Sequence, residues 1–154
     1  MNKKTIDYSR TVMSRIMLPG QANPAGNVHG GEIMKLMDNT AYAVARKHAR
    51  CSVVTARVDE LQFLQPIYVD NLTTCRAHLV FTGTTSMEVR VEVEVEDLET
   101  DKKPQTALTA FFTMVALNEE GKPTPVPGLK LQTEKEKKQF KRGQQRYSKY
   151  KQQD

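Results

Sequence analysis

Residues 30–48, GGEIMKLMDNTAYAVARKH, carry the pattern that decides the fold. Apolar residues recur in this stretch at intervals of three and four, which is the spacing of one face of an α-helix. These residues are Ile33, Met34, Met37, Ala41 and Val44, and Leu36 and Ala45 widen the stripe. A stripe this broad leaves little of the surface polar, so we expect a long and largely buried helix over residues 30–48.

After this helix the period of the apolar residues changes from that of a helix to the two-residue period of β-strands. The alternation is clearest at residues 87–96, MEVRVEVEVE, which predicts a strand with one dry face and one wet face. Residues 71–81 also alternate, and residues 105–117 are apolar on both faces, which indicates a central strand. Further strands are predicted at residues 11–17 and 53–58, and residues 60–64 either continue the latter strand or pair nearby. Short turns favour antiparallel pairing, so we predict an α+β fold in which one helix lies across about five or six antiparallel strands.

The net charge of +5 is concentrated at the C-terminal end of the chain. Residues 130–154 hold nine basic and three acidic residues, whereas the rest of the chain holds 14 basic and 15 acidic residues. We therefore predict one folded domain, residues 1–129, that ends at a proline-rich stretch, and a basic helix or tail, residues 130–154. The tail is interpreted as a solubilising segment, with a cationic patch for the phosphates of a ligand or RNA as the alternative, and a nucleic-acid partner is not expected.

No apolar run approaches the ~18 residues that span a bilayer. The first ten residues also lack the apolar stretch of a signal peptide, so we expect a cytoplasmic protein without a membrane partner. Cys51 and Cys75 form no CxxC motif, and they are interpreted as small buried hydrophobic residues, with a catalytic thiol as the alternative. No metal site is predicted.

The segment that leads into the helix is where we expect the chemistry. Gly30 and Gly31 would let a ligand approach the free N–H groups at the positive end of the helix, which can hold an anion or a developing oxyanion. Simple packing of the loop on the helix is the alternative explanation for the glycines. Asp38 lies among apolar neighbours, where a carboxylate is costly unless it is paired, so it is either a partner of Asn39 or a general base.

Together these residues resemble a known family. Residues 23–31, NPAGNVHGG, followed by Asp38 and by residues 52–55, SVVT, closely resemble acyl-CoA thioesterases of the hotdog fold, which include the YciA-type enzymes and the brain acyl-CoA hydrolase. The resemblance runs from about Ser14 to Leu129. It implies a helix wrapped by an antiparallel sheet, hydrolysis of acyl-CoA to fatty acid and coenzyme A, and a homo-oligomer that is at least a dimer and is expected to be a hexamer, a trimer of dimers.

The resemblance also assigns catalytic roles. Asn23 and Asp38 match the catalytic asparagine and aspartate of the family, and they would face each other from opposite subunits. Thr55 matches a third residue that supports the water or the carboxylate. Asp38 is expected to act as a general base on water, with direct nucleophilic attack as the alternative, while Asn23 orients the water or the thioester.

Substrate contacts are expected from the same loop. The backbone N–H of Gly31 or Gly30 would polarise the thioester carbonyl. His29 precedes the glycines and is a candidate for contact with the thioester. Asn27 is a second polar candidate, and it replaces Asn23 as the catalytic amide if the placement is off by one motif.

Coenzyme A is expected to lie along the outside of the sheet. Candidate ligands for its phosphates are Arg57, Arg90 and the turn Gly83, Thr84, Thr85 and Ser86. A surface charge is the alternative for Arg90, and a plain hairpin turn is the alternative for residues 83–86. No cofactor is predicted beyond coenzyme A as product or ligand, and no metal is required because a thiolate is a good leaving group.

Two other functions are compatible with such a chain. One is a different hotdog enzyme that acts on acyl thioesters, such as a dehydratase, although residues 29–31 fit a dehydratase motif poorly. The other is a non-catalytic protein that binds or senses acyl-CoA. Release of a thiol from acyl-CoA separates both from the thioesterase.

Overall fold

A computed structural model describes residues 1–152, so the last two residues of the predicted tail lie outside the described residues. The strands are numbered β1 to β7 and the helices α1 to α3 in chain order. They are β1 (Lys4–Thr5), α1 (Ile6–Ser9), β2 (Thr11–Ile16), α2 (Gly30–Ala49), β3 (Ser52–Phe63), β4 (Leu72–Thr82), β5 (Ser86–Glu96), β6 (Gln105–Leu117), β7 (Leu129–Lys130) and α3 (Glu134–Lys151).

The predicted long helix is confirmed as α2, within one residue of its expected end. It ends at Arg50, which adopts a left-handed conformation with a φ of 58° and donates its N–H to the carbonyl of Arg46. The apolar stripe read from the sequence is the buried face, and its members Met37, Ala41 and Val44 are completely covered. Burial of this stripe, rather than helix propensity, supplies most of the stability of such a helix.

Five strands form an antiparallel sheet in the order β2-β4-β5-β6-β3, and α2 packs across one face of it. The α+β hotdog arrangement expected from the sequence is therefore confirmed. Residues 105–117 form β6, which is paired on both sides as their apolar faces predicted, but β5 is the middle strand. The strand β3 is an edge strand, so the backbone groups on one of its sides are unpaired among residues 1–152.

The two faces of β5 differ, but less than the alternating sequence predicted. Val89, Val91 and Val93 are fully buried beneath α2. Glu88, on the opposite face, is only 2% exposed. The predicted wet face is wrong at this position because a second helix, α3, covers it.

The basic C-terminal segment forms a helix that packs on the outer face of the sheet. The helix α3 starts at Thr133, whose side chain accepts from the N–H of Glu136. Arg146 donates from Nη2 to Glu88 at 2.6 Å, and the ring of Phe140 meets that of Phe81 edge to face at 5.0 Å. Of the two predicted forms, helix or tail, residues 134–151 adopt the helix, and one side of it contacts the sheet. The domain boundary after residue 129 stays a prediction.

The proline-rich stretch is part of the folded body, as the predicted domain of residues 1–129 requires. Val126 and Leu129 lie beyond the first of its prolines and belong to the buried core, and β7 pairs with β1. His48 is fully buried, and its Nε2 lies 2.6 Å from the carbonyl oxygen of Pro127. Burial lowers the pKa of His48, so this residue is a neutral core group.

Candidate active site

The centre of the site is a contact between α2 and β3. Thr55 donates its hydroxyl hydrogen to Oδ1 of Asp38 at 2.6 Å. The same hydroxyl lies 3.4 Å from Sδ of Met114, a much weaker acceptor than a carboxylate. Asp38 is partly exposed and Thr55 is exposed, so the pair faces outward at the free edge of the sheet. The contact with Thr55 shows that Asp38 does not depend on Asn39 for a partner.

The two polar side-chain atoms of Asn23, Oδ1 and Nδ2, differ in their contacts. Its Oδ1 accepts from the N–H of Ala25 at 3.0 Å and of Asn27 at 3.1 Å, which holds the loop in a tight turn. Its backbone closes the same loop through Gly26 and Asn27. Within residues 1–152, the amide nitrogen Nδ2 makes no hydrogen bond, and Asn23 has none to Asp38. The structure therefore does not join Asn23 to Asp38 within one chain.

The start of α2 offers two free donors. Within the described part of the chain, the N–H groups of Gly30 and Gly31 donate to no carbonyl, whereas that of Glu32 donates to His29. A Cβ added at Gly31 would meet nothing within 4 Å, and one at Gly30 would make only an ordinary contact with Phe63 at 3.8 Å. Packing within the chain therefore does not require either glycine, which disfavours the packing explanation.

The remaining two loop candidates differ in exposure. His29 is exposed, and its side chain makes no capping hydrogen bond to the helix. Asn27 bridges to Tyr68 through the backbone, and its Oδ1 is buried without a partner among residues 1–152. His29 is thus accessible to a ligand, while the Asn27 oxygen points into the protein.

Among the candidates for coenzyme A binding, Arg57 is held most firmly. Its Nε donates to both carboxylate oxygens of Asp59 at 2.8 and 2.9 Å. Its guanidinium carbon lies 4.2 Å from the ring centroid of Tyr150 on α3, a close cation–π contact. The two contacts fix both the direction and the plane of the guanidinium group.

The turn from Gly83 to Ser86 connects β4 and β5, and several of its backbone groups make hydrogen bonds within the fold. Gly83 donates its N–H to Ser86, and the carbonyls of Thr84 and Thr85 accept from Val126 and Ala116. The hydroxyl groups of Thr84 and Thr85 make no hydrogen bond within residues 1–152. Thr85 and Ser86 line the same pocket as Arg57, so the structure brings these three candidates together.

Arg90 lies in a different depression. It lines a groove of about 520 Å³ between the sheet and α3 that also contains His78 and Lys135. Burial is the main cause that lowers the pKa of His78 to about 4, and the nearby cations Arg10, Arg90 and Lys135 contribute to this shift. Glu88, paired with Arg146, separates Arg90 from Ser86 along the outer face of β5.

The sequence interpretation missed the residues that support Arg57. The signal for Asp59 was its spacing, because residues two apart on a strand share a face. The signal for α3 was the spacing of Phe140, Tyr147 and Tyr150, which lie on one side of an otherwise charged helix. Burial raises the pKa of Glu88 although Arg146 opposes the shift, and no charge pattern along β5 indicated this buried pair.

In the described part of the chain, no three His, Cys, Asp or Glu side chains are grouped as metal ligands. Of the two cysteines, Cys75 is buried and Cys51 is partly exposed, so the prediction of buried cysteines is confirmed only for Cys75. No helix among residues 1–152 is long and apolar enough to cross a membrane.

The chain is similar to known thioesterases. Residues 25–102 match the Thioesterase superfamily. Over 144 residues the chain is 41% identical to the cytosolic acyl coenzyme A thioester hydrolase of Rattus norvegicus. That alignment covers 93% of this chain but 38% of the rat protein, so the chain spans well under half of this relative.

Solved structures give the same result along almost the whole chain. An apo-hexameric acyl-CoA thioesterase superimposes with a TM-score of 0.92 at 35% identity, covering 99% of this chain and 97% of that one. The acyl-CoA hydrolase of Staphylococcus aureus, in complex with butyryl coenzyme A, coenzyme A and coenzyme A disulfide, gives a TM-score of 0.88 at 33% identity, covering 98% and 92%.

Three further structures of the S. aureus hydrolase carry alanine in place of an aspartate, an asparagine or a threonine. In that protein the asparagine precedes the aspartate by 15 residues, and the aspartate precedes the threonine by 17 residues.

Proposed function

Because this chain belongs to the thioesterase superfamily, we propose that it hydrolyses acyl-CoA thioesters to a free fatty acid and coenzyme A. The observation that carries the proposal is the hydrogen bond from Thr55 to Asp38. This hydrogen bond orients the partly exposed carboxylate of Asp38. Asp38 lies on α2, whose first two N–H groups donate to no carbonyl among the described residues. The names of the rat and S. aureus relatives support the same substrate class.

The spacing of three polar residues supports their assignment to catalysis. Asn23, Asp38 and Thr55 are separated by 15 and 17 residues, which are the intervals between the three residue types replaced in the S. aureus hydrolase. We propose that Asn23 and Asp38 of two different chains meet at one site, because within one chain no hydrogen bond joins them among the described residues. Thr55 supports Asp38 of its own chain.

In the proposed reaction, Thr55 occupies Oδ1 of Asp38 and leaves Oδ2 to accept a proton from water. The water oxygen attacks the thioester carbonyl carbon as its proton passes to Asp38. The carbon–sulfur bond then breaks, and the coenzyme A sulfur leaves with the electron pair and takes up the proton. Direct attack by Asp38 would instead give a mixed anhydride that water must hydrolyse.

The start of α2 is proposed to stabilise the oxyanion that forms in this step. The free N–H groups of Gly30 and Gly31 lie at the positive end of a 20-residue helix. The open space beside Gly31 lets the thioester approach them. His29 and Asn27 stay candidates for substrate contacts, His29 more favourably because it is exposed.

The assembly is proposed to be a homo-oligomer formed through β3. This edge strand is unpaired on one side and exposes Val54 and Phe63, which are 45% and 63% exposed. Pairing with β3 of a second chain would satisfy the free backbone groups and place two sites at one interface. The hexameric relative supports a trimer of such dimers.

Coenzyme A is proposed to lie on the outer side of the sheet, with Arg57, Thr85 and Ser86 at its phosphates. Their common pocket supports this assignment over that of a plain hairpin turn. Arg90 lies in the neighbouring groove and is a secondary candidate. A cytosolic location, as in the name of the rat relative, and the absence of a further cofactor stay predictions.

The primary test is release of coenzyme A thiol from acyl-CoA substrates of graded chain length. We expect turnover by the parent protein and a loss of at least ~100-fold in kcat for Asp38→Asn, with the oligomer intact by light scattering. Turnover retained in Asp38→Asn would remove this residue from the mechanism. No release with any chain length, despite tight acyl-CoA binding, would favour the sensor over the enzyme.

A matched pair of variants tests the support from Thr55. Thr55→Ser keeps a hydroxyl donor for Asp38, whereas Thr55→Val removes it and keeps the shape of the side chain. We expect Thr55→Ser to stay within ~5-fold of the parent in kcat and Thr55→Val to lose ~10-fold or more. Equal activity of the two variants would contradict a role for this hydrogen bond.

A second pair of variants distinguishes the role of Oδ1 of Asn23 from that of Nδ2. Asn23→Asp keeps the acceptor for the N–H groups of Ala25 and Asn27 but removes the Nδ2 donor, whereas Asn23→Ala removes both. If Nδ2 acts in catalysis, both variants lose activity, but only Asn23→Ala loosens the loop, as measured by hydrogen exchange at Asn27. An active Asn23→Asp protein would limit Asn23 to a structural role.

A further inference from the structure

The last turn of α3 is fixed in place over the turn between β4 and β5. Two aromatic contacts hold Tyr147: its ring centroid is 5.6 Å from that of Phe81 and 5.5 Å from that of Tyr150. The hydroxyl of Tyr150 lies 3.3 Å from that of Thr113 on β6. The upstream ion pair of Arg146 with Glu88 anchors the same part of the helix.

This turn of α3 closes a pocket of about 270 Å³. The sheet contributes Arg57, Thr85 and Ser86, and α3 contributes Tyr147, Tyr150 and Lys151. A complete small-molecule site usually occupies ~300–1,000 Å³, so this pocket has room for one end of a larger ligand.

The contacts of Arg57 indicate which chemical group the bound end of the ligand carries. Its Nε is occupied by Asp59 and one face of the guanidinium by Tyr150, yet within residues 1–152 neither of its two terminal NH₂ groups makes a hydrogen bond. A guanidinium oriented in this way is prepared for bidentate contact with a planar acceptor or a phosphate. Lys151, which also lines the pocket, adds a second cation, and its Nζ lies 5.5 Å from the centre of the Tyr147 ring.

We infer that α3 forms one wall of the subsite for the nucleotide end of coenzyme A. The Tyr147 ring stacks on the adenine, and Lys151 and Arg57 bind the phosphates. This inference rests on the proposed function, because it takes acyl-CoA as the ligand. It gives the basic C-terminal helix the alternative role considered from its charge, that of a cationic patch for the phosphates of a ligand. A π-face for a base and two cations for phosphates are the groups that a nucleotide requires.

The test compares one acyl group carried on coenzyme A and on pantetheine, which lacks the nucleotide. We expect Lys151→Ala and Tyr147→Leu each to raise KM for acyl-CoA by about 3- to 10-fold with kcat within twofold. Their KM for acyl-pantetheine should stay within twofold of that of the parent. The matched control is Lys138→Ala, which removes the same charge from an exposed position of α3 outside this pocket.

Equal changes of KM on the two substrates, or a Lys138→Ala effect as large as that of Lys151→Ala, would overturn the inference. If the parent hydrolyses neither thioester, the proposed function fails, and calorimetry with coenzyme A and pantetheine then decides the inference alone. Weaker binding of coenzyme A but not of pantetheine by Lys151→Ala supports the α3 wall. Unchanged binding of coenzyme A refutes it.

Discussion

Replacing Gly143 by alanine tests how closely α3 must approach the sheet. An added Cβ would lie 2.6 Å from Cβ of Phe81 and 3.1 Å from Oε1 of Glu88. Non-bonded carbons normally stay ~3.5–4.0 Å apart, so the helix must retreat by ~1 Å. The same retreat would stretch the 2.6 Å contact between Arg146 and Glu88 beyond hydrogen-bonding distance.

Gly143→Ala changes the free energy of unfolding through terms of opposite sign. Overpacking costs ~1–3 kcal/mol, and weakening a buried ion pair adds to this loss. Alanine is better than glycine inside a helix by ~1 kcal/mol, which offsets part of it. We therefore expect Gly143→Ala to lower the free energy of unfolding by ~2 kcal/mol and Tm by ~4–8 °C.

Thermal unfolding and limited trypsin digestion measure the effect, since a loosened α3 exposes its many lysines and arginines to cleavage. The control is Gly20→Ala, where an added Cβ meets nothing within 4 Å and Tm should hardly change. A Gly143→Ala protein as stable as the parent, or more stable, would refute the reasoning, because helix propensity alone would then govern this position.

Three further predictions concern buried groups. Arg146→Met should lower the free energy of unfolding in urea by ~3–5 kcal/mol, because it leaves Glu88 buried without its partner. Adding Glu88→Met should restore at least half of the lost stability, and no recovery would contradict the pairing of the two residues. The pKa of His78 is lowered, mainly by burial, to about 4. Neutral His78 therefore contributes fully to stability above pH 6.5, and this contribution, roughly 3 kcal/mol at most, is lost as the pH falls toward 4. His78→Gln should flatten the Tm profile between pH 7 and pH 4, and a parallel profile would exclude this residue as the cause. Burial raises the pKa of Cys75 to about 11, so a thiol reagent at pH 8 should label only Cys51 in the folded protein and both cysteines in urea. Rapid labelling of Cys75 in the folded protein would contradict this prediction.

The sequence predicted α2 and all five strands of the main sheet, and the prediction was clearest where the apolar pattern is continuous. The helix α2 and the strands β4, β5 and β6 each have one unbroken pattern, so their positions followed from residue spacing. The short elements β1, α1 and β7 have two to four residues each, too few to show a period. They form only because distant segments meet, as in the pairing of β1 with β7.

For the candidate site, residue spacing and family resemblance indicated positions but not partners. Asp38 and Thr55 are 17 residues apart, and their contact depends on how α2 lies against β3. His48 lies near the end of α2, and its burial against the Pro127 carbonyl depends on a segment 79 residues away in the sequence. The docking of α3 was missed because charged neighbours masked its aromatic positions.

The free edge of β3 also bears on the solubility of the chain. It is a 12-residue strand with unpaired backbone groups and exposed apolar side chains at Val54 and Phe63. Edges of this kind recruit strands from other molecules indiscriminately unless something covers them. Under the proposed assembly, the interface that completes the active site is also the one that protects the chain from aggregation. A compound that separates the subunits would therefore abolish turnover and leave a species prone to precipitate.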